Sequence, residues 1–321
     1  MNHSVQDCRI GTLSWRATLV CLVAITVPAV LVAQETAAPR RAPDVHFVPT
    51  DVAMVRAMLR VAQVGKKDLV YDLGCGDGRI VITAVKRYGA RGVCVDIDPA
   101  RITESKRNAD TAGVAGRITF REGDLFEMDL REATVVTLYL LPALNVRLRP
   151  KLFRELRPGS RVVSNSFDMG DWKPDSTLQV QPASQFFNFA YFWVVPADVA
   201  GRWDVSLTGS PSVGDQEPYV LQLEQRYQML MGKGQRGGRD VPVSGASVNG
   251  DRLRFTLIDS LGGKPRTLRF SGRVTDEKAT GTVRGLPGRR SASWSAVRTQ
   301  RGPRPELKEE AQASGDTAGG K

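Results

Sequence analysis

Histidine and cysteine are scarce in this sequence: 321 residues hold two histidines and four cysteines. With only His3 and His46, a His-rich zinc cage is excluded, no metal ligands are assigned, and a Ser-His-Asp hydrolase is disfavoured. So few cysteines cannot form a disulfide scaffold. Aromatic residues make up 7% of the chain and nowhere alternate with basic ones as on a single-strand nucleic-acid platform, so no nucleic-acid partner is expected. Acidic residues are the minority, 34 against 45 lysines and arginines, leaving a formal charge of +11. The excess is spread along the chain and forms no basic arm, which admits an acidic partner or an anionic membrane surface. What is present suffices for a core: 41% hydrophobic and 25% charged residues exclude wholesale disorder.

Long uncharged apolar stretches are also missing, except ATLVCLVAITVPAVLVA at 17–33. Arg9 and Arg16 precede it against Asp7, and Ala33 ends it before polar QETAAP. That order reads as a secretory signal over 1–33, cleaved near Ala33–Gln34. The run is short for a membrane span and contains Pro28; an uncleaved anchor is the alternative. An exported protein, periplasmic or secreted, is therefore expected. Cleavage leaves Cys75, Cys94 and His46, and two free thiols are expected, with His46 read as structural. Residues 34–45 read as a Pro/Ala/Arg linker.

From Thr50, a candidate cap, helical spacing begins at Val52, Val55, Met58 and Leu59. Strands are expected at 68–73, 92–97, 118–121, 134–140 and 161–167, and near 178–181 and 189–195. Helices are expected at 79–88 and 99–112, and at 143–157 with a break at Pro150. Such alternation over 46–197 predicts a mainly parallel, Rossmann-like α/β sheet. After Pro196 the pattern changes to alternating runs at 203–207, 220–229, 253–258, 267–274, 280–284 and 293–297. Turns such as GKGQRGG and VNGD separate them. Residues 200–299 are thus expected to form an antiparallel β-barrel or sandwich that folds separately, and 300–321 a disordered tail.

The informative stretch is VYDLGCGDGR at 70–79. A strand enters a GxGxG turn, Gly74, Gly76 and Gly78, and a helix follows at once. Glycines let a ligand approach the backbone, and the helix start offers free N–H groups. No Lys-Ser/Thr follows, so this is not a P-loop. Asp72, at the lip of the first strand, would repel a pyrophosphate but suits a cationic ligand. Asp96 ends the second strand, where an acid accepts bonds from ribose hydroxyls. Asp124 follows the third strand at the same carboxyl edge. A glycine loop with three acids describes a site for a nucleoside bearing positive charge. A nicotinamide oxidoreductase fits the sheet, but not Asp72 or the glycine spacing.

DLGCGDG at 72–78, GVCVDIDP at 92–99 and ITFREGDLF at 118–126 together resemble the class I S-adenosylmethionine-dependent methyltransferases. The resemblance covers about residues 46–195. It implies S-adenosyl-L-methionine as cofactor, with Asp72 and the Gly74–Gly78 backbone facing its methionine part. It also implies Asp96 on the ribose, Asp124 on the adenine amino group, and Ile97 and Leu125 against the ring. HFVPT at 46–50, YDLGCGDGRIV at 71–81, DLFEMDLREATVVTLYLLP at 124–142 and SNSFDMGDWKPD at 164–175 look like bacterial relatives of the mitochondrial lysine methyltransferases that modify an ATP-synthase membrane subunit. The expected acceptor is a protein side chain, with lysine the first candidate, or a small molecule. Methyl transfer from a sulfonium asks mainly for alignment and exclusion of water, so no base need be conspicuous. Tyr139, Asp168 and Asp171, all after strands at the carboxyl edge, are the candidates to order the acceptor. Where amine-methylating nucleic-acid enzymes have Asn/Asp-Pro-Pro-aromatic, this chain has Tyr139-Leu140-Leu141-Pro142. The competing reading is an exported nucleoside-binding module without catalysis, its β region contacting envelope components.

Overall fold

Asp51 starts the first helix, α1 (Val52–Val61), its carboxylate accepting from the Ala53 N–H at 2.7 Å. The cap therefore lies one residue beyond Thr50. Thr50 is buried, and its carbonyl accepts from the Arg79 guanidinium instead. The computed structural model describes residues 42–181, 188–208, 217–261, 264–288 and 290–304. The signal over 1–33, residues 34–41 of the linker, the segment 209–216 and the tail beyond 304 lie outside those residues.

The chain continues through β1 (Leu69–Leu73), α2 (Arg79–Tyr88), β2 (Arg91–Asp96), α3 (Pro99–Thr111), β3 (Ile118–Glu122) and β4 (Val135–Leu138). It then passes through α4 (Pro142–Glu155), β5 (Arg161–Asn165), β6 (Ser176–Gln179) and β7 (Phe189–Val194). The strands form one sheet in the order β3-β2-β1-β4-β5-β7-β6. The first five are parallel, and β7 joins β5 antiparallel with β6 outside it. β4 is buried throughout, as a strand covered on both faces should be. α4 runs unbroken through Pro150. The carbonyl that the missing N–H leaves without its helical donor belongs to Val146, which is exposed to water.

A second sheet follows: β8 (Gly201–Thr208), β9 (Tyr219–Arg226), β10 (Met229–Arg236), β11 (Arg239–Val241) and β12 (Val243–Asn249). It continues with β13 (Arg252–Leu261), β14 (Lys264–Thr275), β15 (Lys278–Arg284) and β16 (Ala292–Arg301). Every pairing is antiparallel, and those of β16 with β8 and of β9 with β10 close the sheet into an eight-stranded barrel, β11 lying outside on β10. Closure decides between barrel and sandwich, and it removes the strand edges. Inward side chains, among them Trp203, Tyr219, Phe255, Phe270 and Trp294, fill the barrel. The run 220–229, expected as one strand, is two. Tyr227-Gln228 turns the chain with Tyr227 at φ 55°, and no Gly, Pro or Asn marks the place.

That turn also joins the sheets. The Tyr227 ring lies 5.6 Å from Phe153 and 6.2 Å from Trp172, buried in the core of the first sheet. Gln228 accepts from the Trp172 indole N–H at 3.0 Å. Arg149 of α4, Arg226 and the Tyr227 hydroxyl all bind the Asp171 carboxylate.

Candidate functional site

The glycine loop folds over the end of β2. Gly74 and Cys75 N–H both donate to the Val95 carbonyl, at 2.9 and 3.0 Å, and Gly76 N–H donates to the Asp96 carboxylate at 2.8 Å. Gly76 has φ 55°, which favours glycine, and a Cβ there would lie 2.2 Å from the Phe47 ring and displace it. Gly78, at φ 79°, opens α2 with no side-chain cap. Asp77 clamps the Arg79 guanidinium, and its backbone carbonyl takes a bond from Asn108 of α3 at 2.9 Å. The loop is thereby held from β2, α2 and α3 at once.

Cys75 and Cys94 form a disulfide, with Cα atoms 5.4 Å apart, where free thiols were expected. The two bonds onto Val95 cause this. They lay Cys75 against β2, over the residue next to Val95, at the wall of the cleft. The bridge closes a loop of sequence separation 19 and pins the glycine turn to β2.

Three acids stand along the carboxyl edge. Asp72, 1% exposed, accepts from the Thr137 hydroxyl at 2.7 Å through Oδ1, while its buried Oδ2 has no hydrogen-bond partner. Burial pushes its carboxyl from 3.8 up to about 7, the Thr137 bond working against that and the Asp96 charge adding to it. Asp96 accepts from Gly76 N–H and, at 3.0 Å, from Asp98 N–H; burial raises its carboxyl too. The side chain that caps α3 is Asp98, not Asp96. Asp124 accepts from Phe126 N–H at 2.9 Å, and Gly123 N–H bonds the Asp96 carbonyl, which ties the third acid to the second.

A cleft of about 430 Å³ opens here, lined by Gly74, Asp96, Ile97, Asp124, Leu125 and Tyr139 among others. Six of the sequence-named residues thus meet in one cavity, with Asp72, Gly76 and Gly78 behind or beside it. Burial raises the Tyr139 hydroxyl, whose ring stacks on Phe167 at 6.3 Å. Asp168 and Asp171 are not brought in. Asp168 accepts from Gly170 N–H in its own turn, and Asp171 holds the barrel to α4. For Asp171 the candidacy as an acceptor-ordering group is corrected: two arginines and a tyrosine occupy its carboxylate.

Sequence reasoning missed the segment before α1. His46, Phe47, Val48 and Thr50 line the cleft, and the Arg101 guanidinium lies 4.9 Å over the Phe47 ring. An apolar pair beside a proline carries no periodic signal, so HFVPT entered the sequence reading only through its resemblance, with no role at the site.

The donor set fits S-adenosylmethionine. An unpartnered carboxylate oxygen in a buried place calls for a cation, as an α-ammonium supplies. Asp96 offers further lone pairs at the cleft wall, and Ile97 and Leu125 offer flat apolar surface.

Residues 72–176 match the family model of the ANTKMT methyltransferase domain. A protein-lysine N-methyltransferase of Saccharolobus islandicus is 48% identical over 140 residues, 43% of this chain and 87% of that protein. The human lysine N-methyltransferase of the ATP synthase C subunit is 32% identical over 158 residues, 49% of this chain and 64% of that protein. Among solved structures, an RNA methyltransferase from Salinibacter ruber bound to S-adenosyl-L-homocysteine is 52% identical, covering 46% of this chain and 93% of its own, with a TM-score of 0.44.

Proposed function

The chain belongs to the protein-lysine methyltransferase family of the ANTKMT type and is an S-adenosylmethionine-dependent methyltransferase, and from that premise we propose that its acceptor is a lysine ε-amine of a protein in the cell envelope. S-adenosylmethionine supplies an electrophilic methyl group on a sulfonium. The protein holds and orients. Asp72 Oδ2 receives the α-ammonium, Asp96 the ribose hydroxyls and Asp124 the adenine amino group, with Ile97 and Leu125 on the ring faces. The Gly74–Gly78 turn, pinned by the disulfide and by three backbone bonds, fixes the depth of the cleft. Tyr139 and Leu140 would border the methyl group, and His46, Phe47, Val48 and Thr50, which line the same cleft, would limit water there. A lysine must arrive neutral to attack. The half-buried Tyr139 hydroxyl, kept protonated, would order the amine as a hydrogen-bond partner and not as a base.

The observation that carries the cofactor reading is the buried Oδ2 of Asp72, which has no hydrogen-bond partner and calls for a cation. A nucleoside-binding module would share that need, so the non-catalytic alternative is disfavoured instead by the match to the methyltransferase family model and to a lysine-methylating relative. Export is supported by the charge order of residues 1–33 and by a disulfide at Cys75–Cys94, which persists in oxidising compartments. Among the described residues no helix is long and apolar enough to cross a membrane. On its sequence alone the apolar run 17–33 is the candidate anchor, and the barrel is the candidate contact with the envelope.

Methyl-labelled S-adenosylmethionine, the full chain and separate membrane-protein, soluble-protein and RNA fractions test the acceptor. Acid hydrolysis should release label as methyl-lysine, mainly from the membrane fraction. Label confined to RNA or to arginine would overturn the assignment.

A further inference from the structure

One wall of the barrel carries charge of a single sign. Alternation along β13, β14 and β15 turns Leu253, Phe255, Leu268, Phe270 and Val283 inward. It turns Arg252, Arg254, Arg269, Arg273, Lys278 and Arg284 outward, all six exposed or nearly so. The register sets Arg252 directly opposite Arg273, and Arg269 directly opposite Arg284. Like charges facing each other across an antiparallel pair destabilise a sheet, and nothing in the barrel's packing asks for them. Hydroxyls fill the places between: Ser247, Thr256, Ser271, Thr280 and Thr282. Among the described residues, no outward position on β12–β15 carries a carboxylate. Asp259 points inward to Arg236 and Tyr219, and Asp251, in the β12–β13 turn, meets only Arg273 of the six. At about 4.8 Å between strands and about 6.8 Å between alternate residues, the face spans roughly 15 by 20 Å.

We propose that this wall docks the enzyme on an anionic phospholipid surface. Phosphate headgroups are the chemistry that an arginine and hydroxyl face with no acid on it selects. A bilayer fits better than a nucleic acid because the wall is the convex outside of a barrel. It offers no groove, and no described outward position on β12–β15 is aromatic, so there is no stacking platform. In the full, uncleaved chain the uncharged run at 17–33 adds a segment that favours acyl chains. The choice of lipid rests on the envelope reading above. The test does not, since it needs neither methyl transfer nor a compartment.

The full chain is sedimented with vesicles of phosphatidylcholine alone and of phosphatidylcholine with phosphatidylglycerol, at low and high salt. The apolar run binds both kinds alike and cancels in the ratio. The account expects excess binding to the anionic vesicles that high salt removes. Each cation near such a surface contributes roughly fivefold. The quadruple variant R252Q/R254Q/R269Q/R284Q should therefore lower the excess by about six-hundredfold, and the pair R254Q/R284Q by about twenty-fivefold, should the quadruple variant fail to fold. Lys233→Gln, on β10 of another wall, should keep it. An unchanged far-ultraviolet circular dichroism spectrum and melting temperature certify that the barrel of each variant is folded. Equal binding to both vesicle types, or an undiminished excess in the folded variants, overturns the proposal. So does duplex RNA that binds the wall and resists displacement by anionic vesicles.

Discussion

Asp72 is the residue at which stability and cofactor binding should pull apart. Its carboxyl rises from 3.8 to about 7 on folding, chiefly through burial. Between those values the folded chain keeps a proton that the unfolded chain has released, so stability falls as pH climbs through the interval. The loss is absent below about pH 4 and complete above about pH 7, where it amounts to about 4 kcal/mol. A cation at Oδ2 reverses the preference, because the ammonium needs the ionised form. Affinity for S-adenosylhomocysteine should therefore rise about tenfold per pH step from pH 5 and level near pH 7. Asp72→Asn keeps an oxygen for the Thr137 hydroxyl and removes the ionisation. At pH 8 the unliganded variant should be more stable than the parent, by up to about 4 kcal/mol, and melt several degrees higher. It should bind the ligand 10- to 150-fold more weakly, as loss of a charge-assisted bond of about 1.5–3 kcal/mol requires, and with a flat pH profile. Calorimetry across pH and thermal melts of both proteins measure this. A flat profile in the parent, or a variant that binds and melts like the parent, would refute the reasoning.

Asp96→Ala removes the acceptor of Gly76 N–H as well as the ribose partner, and should weaken S-adenosylhomocysteine by at least 10- to 150-fold in the same titration, with far-ultraviolet circular dichroism unchanged. Reducing the Cys75–Cys94 bridge reopens a loop of sequence separation 19 and should cost about 3 kcal/mol, read as a lower melting temperature with reductant; Cys94→Ala should lose the reductant effect. A chain ending at Val199 strips Tyr227 and Gln228 from Phe153 and Trp172, and light scattering should show it less soluble than the full chain; a soluble fragment of undiminished stability would mean the joint contributes little.

Most of the first sheet was legible because its signals are local. Short apolar runs ended at Asp72 and Asp96, the third strand ended at Gly123, and the helices between them had glycine or proline at their ends. The cleft followed, since the carboxyl ends of parallel strands meet at one edge. Contacts that depend on what crosses the chain at long range were not legible. The sulfurs of Cys75 and Cys94 meet only because the glycine loop bends back onto Val95. Asp171 looked like a substrate contact until Arg226 and Tyr227, some fifty-five residues later, took it up. The Tyr227-Gln228 turn went unseen because a positive φ is held there by packing of the tyrosine ring and not by a turn residue. Phe47 gave no signal for a similar reason: its place over Gly76 is a tertiary fact.

The central claim is that the cleft takes a cationic nucleoside and rejects a phosphate-bearing one. Calorimetric titration of the full chain with S-adenosylmethionine, S-adenosylhomocysteine and NAD tests it most directly. The account predicts one site per chain for the first two, and weaker binding or none for NAD, whose pyrophosphate would meet the Asp72 carboxylate. NAD bound as tightly as S-adenosylmethionine, or no saturable binding of either sulfur ligand, would contradict it.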